Sequence, residues 1–309
     1  MVTVLPESDW TASRAAHANR VELLIGDYLQ ERARGAYHPV LDFLFTYYSF
    51  KPGHLKRWNP GYGVVLTGAQ AEDYAGLASY EPVPAEEYQV RGYRVREALV
   101  DQRRSAIEFT LGLLTATRDR PPNLGCFGLH EWAMVYQGGV SALRHGTVPL
   151  RLGHDGTDDV VDSMKLRCTH YDAFRFFTDA AVPRNALSLE PSGRTDREQP
   201  GCVHASMDLY KWSYKLSPLV GSDLVTDCFE LALVARTVDM RASPYDLTAY
   251  GLAPIAIETP TGRADYVRAQ TDLTARAAPL RSELIARCQN LLVNGGVSSP
   301  TYRRVTSTK

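Results

Sequence analysis

The sequence predicts a mainly α-helical protein that folds as a single domain, residues 1–309, with a few short strands. Three observations support this prediction. Apolar side chains recur three and four residues apart, the spacing of one helix face, over four long segments: 9–34, 94–117, 222–242 and 263–292. Strand-like stretches are few and short. No internal repeat and no linker-like composition divides the chain.

Shorter elements are predicted between the long helices. Pro39 suits the first turn of a short apolar helix. Residues 63–67 suit a strand, and residues 126–139 suit a short apolar helix. Residues 148–168 follow a pattern of strand, loop, helix and strand. We expect the tail from about residue 297 to be disordered, because it follows a glycine pair that ends the last helix.

The charge balance argues against a nucleic acid partner. The chain carries 34 basic and 35 acidic side chains, for a net charge of −1. Proteins that bind duplex DNA usually show a basic excess or a basic stripe. A small-molecule substrate is the partner that we expect instead. No feature of the sequence indicates an oligomeric state.

Cysteine usage and hydropathy indicate a cytoplasmic protein. The five cysteines form no CxxC pair, which argues against a disulfide framework. The first residues lack the basic and apolar regions of a signal peptide. No apolar run approaches the roughly 18 residues of a membrane span. We therefore expect a reducing compartment and no membrane partner.

His130 and Glu131 are the first candidates for a functional site. They are adjacent within the apolar segment 126–139, so their side chains must point in different directions. A buried imidazole or carboxylate costs several kcal/mol unless it is paired. A site role is therefore slightly favoured over a structural one.

His170 and Asp172 form an HxD pair. In a strand, positions i and i+2 face the same side, so both groups could reach one ion. With His204 they have the composition of a two-histidine, one-carboxylate triad. Three residues of this kind also coincide by chance, so a structural reading stays open.

His204 and Asp208 are four residues apart in a predicted helix, 203–216, and would share one face. Lys211 continues this face. It is either a solvated edge with an Asp–Lys network or one wall of a polar pocket. Apolar residues crowd the rest of the helix, which favours the pocket.

Together these residues favour a metal-dependent enzyme. Imidazole and carboxylate ligands without thiolate spacing are typical of an open Fe, Mn or Zn site. We expect non-haem iron and oxidative chemistry, with haem, zinc or no cofactor as alternatives. The predicted metal ligands are His130, His170 and His204. The predicted catalytic carboxylates are Glu131, Asp172 and Asp208. Arg175 and Lys211 would bind an anionic substrate group, and Tyr210 and Trp212 would line the pocket.

Five blocks of the sequence carry a resemblance to a known family. The blocks are HPVLDFLFTYYS (38–49), GLHEWAMVY (128–136), HYDAFRFFT (170–178), QPGCVHASMDLYKW (199–212) and DMRASPYDL (239–247). The chain resembles, over roughly residues 10–290, actinobacterial proteins commonly labelled 3-methyladenine DNA glycosylase. The resemblance implies a bacterial enzyme, and it carries over no catalytic residues.

Two alternatives to the metal enzyme stay open. In a glycosylase that excises alkylated bases, Asp172 or Asp208 would activate water and aromatic rings would stack on the flipped base. In a haem-binding or non-catalytic binding protein, the histidines would be an axial ligand or satisfied core groups.

Overall fold

The computed structural model describes residues 2–84, 91–138, 148–294 and 302–303. The fold is mainly α-helical with one small sheet, which confirms the predicted class. The helices are α1 (Glu7–Ala33), α2 (Leu41–Tyr47), α3 (Pro52–Leu55), α4 (Ala98–Gln102), α5 (Arg104–Arg118), α6 (Leu129–Ala133), α7 (Gly153–Ser163), α8 (Tyr171–Phe174), α9 (Arg194–Arg197), α10 (Val203–Lys215), α11 (Ser222–Arg241) and α12 (Pro260–Asn294). Short 3-10 helices occupy Ala69–Tyr74, Val182–Arg184, Pro191–Gly193 and Thr248–Tyr250.

The strands form one mixed sheet in the order β3-β4-β2-β1-β5. They are β1 (Val2–Leu5), β2 (Val64–Thr67), β3 (Tyr80–Val83), β4 (Gly92–Val95) and β5 (Tyr302–Arg303). β1 is parallel to β2 and β5, whereas β4 is antiparallel to β2 and β3. Gly92 has to be glycine, because a Cβ there would lie 2.2 Å from the carbonyl oxygen of Leu66.

Trp10 joins the sheet to the helical body. Its indole N–H donates a hydrogen bond to the carbonyl oxygen of Thr67, 2.9 Å away at the end of β2. Its ring is fully buried and stacks on Trp58. Leu66, Tyr80 and Val95 of the sheet belong to the same hydrophobic core as the helices, whereas Val65 and Val83 form a separate small cluster.

The helices α10, α11 and α12 pack against one another, and α5 lies against α12. The first eight residues of α10, 203–210, are all buried, including the polar side chains of His204, Ser206 and Asp208. A helix buried on every side lies in the middle of a core. The polar residues of α10 must therefore find partners inside the protein, and they form the site described below.

Two predicted segments are corrected by the structure. The segment 94–117 is not one helix, because β4 occupies its start and α4 precedes α5. The segment 148–168 contains α7, with isolated bridges from Leu150 to Tyr245 and from Leu166 to Asn185 in place of the predicted strands. Both errors concern strand pairing with distant residues. The predicted disordered tail lies outside the described residues, apart from β5.

None of the described helices is both long enough and apolar enough to cross a bilayer.

Candidate metal centre

The three predicted ligand histidines lie together in the core. His130 is on α6, His170 immediately precedes α8, and His204 is in the first turn of α10. The ring centroids of His130 and His204 are 4.3 Å apart, and those of His170 and His204 are 5.2 Å apart. His204 is therefore the centre of the cluster, with one histidine on each side.

Local turns set the positions of two of these histidines. Gly128 begins α6 with a φ of 70°, a left-handed conformation that suits glycine. A Cβ on Gly128 would also lie 3.2 Å from the Tyr266 ring. Before α10, Gln199 Oε1 accepts hydrogen bonds from the backbone N–H groups of Asn123 and Gly201, each at 2.7 Å. These contacts fix where His130 and His204 enter the core.

His130, His204 and Asp239 form the first group of possible metal ligands. One ligand atom from each residue lies within 4.8 Å of the others, and all three residues are buried. His130 Nε2 and Asp239 Oδ1 are 2.8 Å apart. Neither atom, however, has a hydrogen-bond partner of acceptable geometry in the described part of the chain. The two atoms thus form a close contact between an imidazole and a carboxylate whose geometry is poor for a hydrogen bond.

His204 completes this group with a neutral imidazole. It is 8% exposed, and its ring lies against the rings of His130 and His170. Burial, reinforced by the neighbouring His130, holds the pKa of His204 well below its usual range. The ring is therefore uncharged at neutral pH, and a neutral imidazole offers a lone pair to a metal.

Arg236 holds the carboxylate of Asp239 in place. Its Nη1 donates to Asp239 Oδ2 and to Glu131 Oε1, each at 2.6 Å. Burial alone would raise the pKa of Asp239, but His130 and Arg236 outweigh burial and hold this pKa well below its usual range. Asp239 is thus ionised, with Oδ2 bound to Arg236 and Oδ1 directed toward His130.

His170, Asp172 and Asp208 form a second group, with ligand atoms that also lie within 4.8 Å of one another. This group already contains a cation. Lys211 Nζ lies 2.6 Å from Asp172 Oδ2 and 3.1 Å from Asp208 Oδ2. An ammonium group in this position takes the place that a metal ion would need.

The remaining oxygens of the second group are also bound. Arg194 donates to Asp172 Oδ1 at 2.6 Å, and the Tyr48 hydroxyl donates to Asp208 Oδ1 at 2.9 Å. Burial raises the pKa of Asp172, but Lys211 outweighs it and the pKa is lowered overall. The two groups therefore differ. Every carboxylate oxygen of the second group is bound by Lys211, Arg194 or Tyr48, whereas Asp239 Oδ1 of the first group faces His130 Nε2 at 2.8 Å without a hydrogen bond of acceptable geometry.

His170 lies between two carboxylates. Its Nδ1 is 3.5 Å from Glu198 Oε1, and its Nε2 is 3.5 Å from Asp208 Oδ2. Burial lowers the pKa of His170, but Glu198 and Asp208 outweigh burial and raise this pKa overall. A protonated His170 fits this position better than a metal ligand does.

A cavity of about 290 Å³ adjoins the cluster. Its lining residues come from five helices and from the segments beside them. They are Tyr37, Asp42, Phe43, Thr46, Tyr47, Glu131, Met134, Asp172, Ala173, Phe176, His204 and Arg236. The volume is near the lower end of pockets that bind small molecules. A ligand in this cavity would contact His204 directly.

A second, smaller cavity of about 20 Å³ lies on another side of His130 and His204. Three thiols line it, those of Cys126, Cys168 and Cys202. Burial raises the pKa of each thiol, to about 12 for Cys168. Protonated thiols are poor metal ligands, and the space fits about one water molecule.

The predicted triad needs correction. His170, Asp172 and His204 do not form one ligand group in the structure, which instead pairs His204 with His130 and Asp239. The HxD segment is also not a strand, because His170 precedes a helix that begins at Tyr171. His170 and Asp172 nevertheless lie in one group, which Asp208 of α10 completes.

The predicted substrate-binding residues lie outside the lining of the large cavity. Tyr210 is fully buried against the rings of Tyr48 and Phe229. Trp212 packs on Phe109. Lys211 is bound to the Asp172 and Asp208 carboxylates, as described above. Tyr210 and Trp212 thus occupy core positions rather than pocket walls.

Arg175 has a similarly limited role. Its guanidinium lies 4.4 Å from the Phe176 ring centroid and 3.8 Å from Asp172 Oδ1. It does not line the cavity, so the structure gives no support to an anion-binding role. Glu131, in contrast, does line the cavity and is bound to Arg236.

Asp239, Arg236 and Glu198 belong to the cluster but were not predicted from the sequence. A signal for the first two was present. They are three residues apart in the apolar helix α11, where both are buried. A charged pair among inward apolar positions indicates a buried polar network. Glu198 carried no comparable signal, since it lies in a charged loop.

Comparisons with known proteins identified no relative. The chain matches no family model, no curated protein and no solved structure.

Proposed function

We propose that this protein is a mononuclear metal-dependent enzyme that acts on a small polar molecule. His130, His204 and Asp239 would bind the ion, and the 290 Å³ cavity would bind the substrate beside it. One observation carries the proposal. These three buried residues offer ligand atoms within 4.8 Å of one another, and His130 Nε2 and Asp239 Oδ1, although 2.8 Å apart, form no hydrogen bond of acceptable geometry within the described residues.

Iron(II) is the metal that the ligand set favours. Two imidazoles and one carboxylate with open positions are typical of non-haem iron enzymes that use dioxygen. Zinc enzymes use similar ligands. A thiolate ligand would favour zinc over iron, but burial raises the pKa of the nearby Cys126 and Cys202 thiols and keeps them protonated. We propose oxidation of the substrate by dioxygen as the reaction class.

The neighbouring residues would orient the ligands. Arg236 fixes one oxygen of Asp239 and leaves the other for the ion. Such partners commonly fix the orientation of a metal ligand and tune its basicity. Asp172 lines the cavity as an ionised carboxylate, because Lys211 lowers its pKa overall. It is a good hydrogen-bond acceptor for substrate and a weak base.

Metal analysis of the purified protein, together with its absorption spectrum, tests the proposal. We expect about one iron per chain after loading with Fe(II), without a haem spectrum. His204→Ala and Asp239→Asn should each lose the ion. Asp208→Asn, which alters only the second group, should keep it. Stoichiometric metal in both the His204 and the Asp239 variants would refute the proposed site. A haem spectrum would favour the haem alternative.

A glycosylase is the second candidate, and the cavity walls favour it. Phe43, Tyr47 and Phe176 line the cavity together with the carboxylate of Asp172. Flipped bases are bound by stacking between aromatic side chains. Binding to alkylated duplex DNA that weakens steeply with salt would support this function, because phosphate contacts release counterions. We expect no such binding, since the net charge is −1.

A further inference from the structure

The large cavity combines aromatic walls with an excess of carboxylates. Four of its lining residues carry six-membered aromatic rings, and these are Tyr37, Phe43, Tyr47 and Phe176. Three lining residues are carboxylates, Asp42, Glu131 and Asp172, whereas Arg236 is the single lining cation among the described residues. The surface that a ligand would touch therefore carries more negative than positive charge.

The cations that pair with these carboxylates lie behind them. Asp172 is bound to Lys211 and Arg194, and Asp42 is bound to Arg32. None of these three cations lines the cavity. A ligand would thus be closer to the carboxylates than to their partners, and interaction energy falls with distance.

Two of the wall rings already bind cations. The Arg236 guanidinium carbon lies 3.8 Å from the centroid of the Phe43 ring. The Arg175 guanidinium carbon lies 4.4 Å from the centroid of the Phe176 ring. Both distances are within the range of cation–π attraction. The faces of these aromatic rings therefore attract positive charge in this protein.

We propose that the large cavity binds a small organic cation, a molecule with a protonated amine on an apolar body about the size of one aromatic ring. The amine would lie near Asp172, beside the Tyr47 and Phe176 rings, which contact each other edge to face. This assignment replaces the anionic substrate that Arg175 and Lys211 would have bound, since both are committed to carboxylates. As a statement about substrate it rests on the proposed metal enzyme, whereas the binding itself needs only the cavity.

Three probes of matched shape test the inference: benzylamine, benzyl alcohol and benzoate. They share a ring and differ in charge at neutral pH. Each is titrated into the full-length protein, both metal-free and loaded with Fe(II) without oxygen, and binding is followed by calorimetry or ligand-observed NMR. We expect benzylamine to bind about tenfold more tightly than benzyl alcohol, and benzoate to bind most weakly.

A wall variant locates the binding. Phe176→Leu should weaken benzylamine binding by about threefold to tenfold, because it removes a ring face. Phe109→Leu is the matched control. Phe109 is partly exposed and packs on Trp212, outside the cavity. Its substitution should leave benzylamine binding unchanged.

Four outcomes would overturn the inference. Benzoate or benzyl alcohol could each bind as tightly as benzylamine, no probe could bind at all, or Phe176→Leu could leave benzylamine binding unchanged.

The metal proposal fails separately. If the metal-free protein shows the expected order of probes but no ion binds at His204, the cavity assignment stands and the metal enzyme does not. If the ion binds and the order is reversed, only the cavity assignment fails.

Discussion

At the scale of single residues, the site depends on how each buried charge is paired. Arg236 is buried and binds both Glu131 and Asp239. Lys211 is 13% exposed at its side chain and binds both Asp172 and Asp208. A buried ion pair contributes little net stability, but the loss of one partner leaves an uncompensated charge. Single substitutions in these pairs should therefore have large effects.

Arg236→Met should destabilise the protein strongly. It removes the guanidinium between two buried carboxylates while keeping an unbranched apolar side chain. We expect a loss of about 3–5 kcal/mol in the free energy of unfolding, measured by urea denaturation at neutral pH. Arg268→Met is the control, because Arg268 is exposed and pairs with Asp265 on the surface. It should change stability by less than about 1 kcal/mol. Equal effects of the two variants would contradict the buried pairing.

Asp208 should make folding stability depend on acid pH. Burial raises the pKa of Asp208, but Lys211 and His170 outweigh burial and hold the folded pKa well below its usual range. Its stabilising effect is thus present above the unfolded value of about 4, and it is lost as the pH falls from there through the lower folded pKa.

Urea denaturation between pH 7 and pH 3 tests this pH dependence. Wild type should be more stable than Asp208→Asn at pH 7, and the difference should shrink below about pH 4. Asp73→Asn is the matched control, because the Asp73 side chain is 61% exposed. Its difference from wild type should be small throughout. A gap for Asp208→Asn that grows in acid would contradict the assigned ionisation.

At the scale of elements, the turn before α10 determines where His204 lies. Gln199 is buried, and its amide bridges the backbone of Asn123 and Gly201. The side-chain amide of Gln270 also donates to the carbonyl oxygen of Gly201. These bonds tie α10 to the segment after α5 and to α12. The position of His204 is thus set by contacts of its own turn with two distant parts of the chain.

Gln199→Ala should both destabilise the fold and weaken metal binding. It leaves backbone groups of Asn123 and Gly201 unpaired in the interior, at a cost of about 2–4 kcal/mol in total. Urea denaturation and Fe(II) titration measure the two effects. Gln70→Ala is the control, since Gln70 is exposed and bonds to Glu7 on the surface. Unchanged iron affinity in Gln199→Ala would show that this turn does not position the site.

The elements also show which parts of the fold the sequence could predict. The helices α10, α11 and α12 were predicted nearly in full, because their apolar periodicity is a local property. The start of the segment 94–117 was not, because Val95 pairs with Tyr80 in the sheet. Strand pairing of this kind depends on distant residues and has no local signature.

At the scale of the whole molecule, the meeting of the three histidines was predictable from the sequence, but the carboxylates that accompany each of them were not. The rings of His130, His170 and His204 lie together, as the sequence analysis expected. The division of these residues into two groups of possible metal ligands was not predictable. Which carboxylates are neutralised by Lys211, and which remain for an ion, depends on side-chain distances of 2.6–3.1 Å across separate elements. Asp239 completes the first group only because α11 packs beside α10.

The most direct test of this account is anomalous X-ray diffraction from crystals of the Fe(II)-loaded protein, recorded at the iron edge. We predict a single peak about 2.0–2.2 Å from ligand atoms of His130, His204 and Asp239, with one side open to the large cavity. A peak between Asp172 and Asp208, or no peak and a well-formed hydrogen bond between His130 and Asp239, would contradict it.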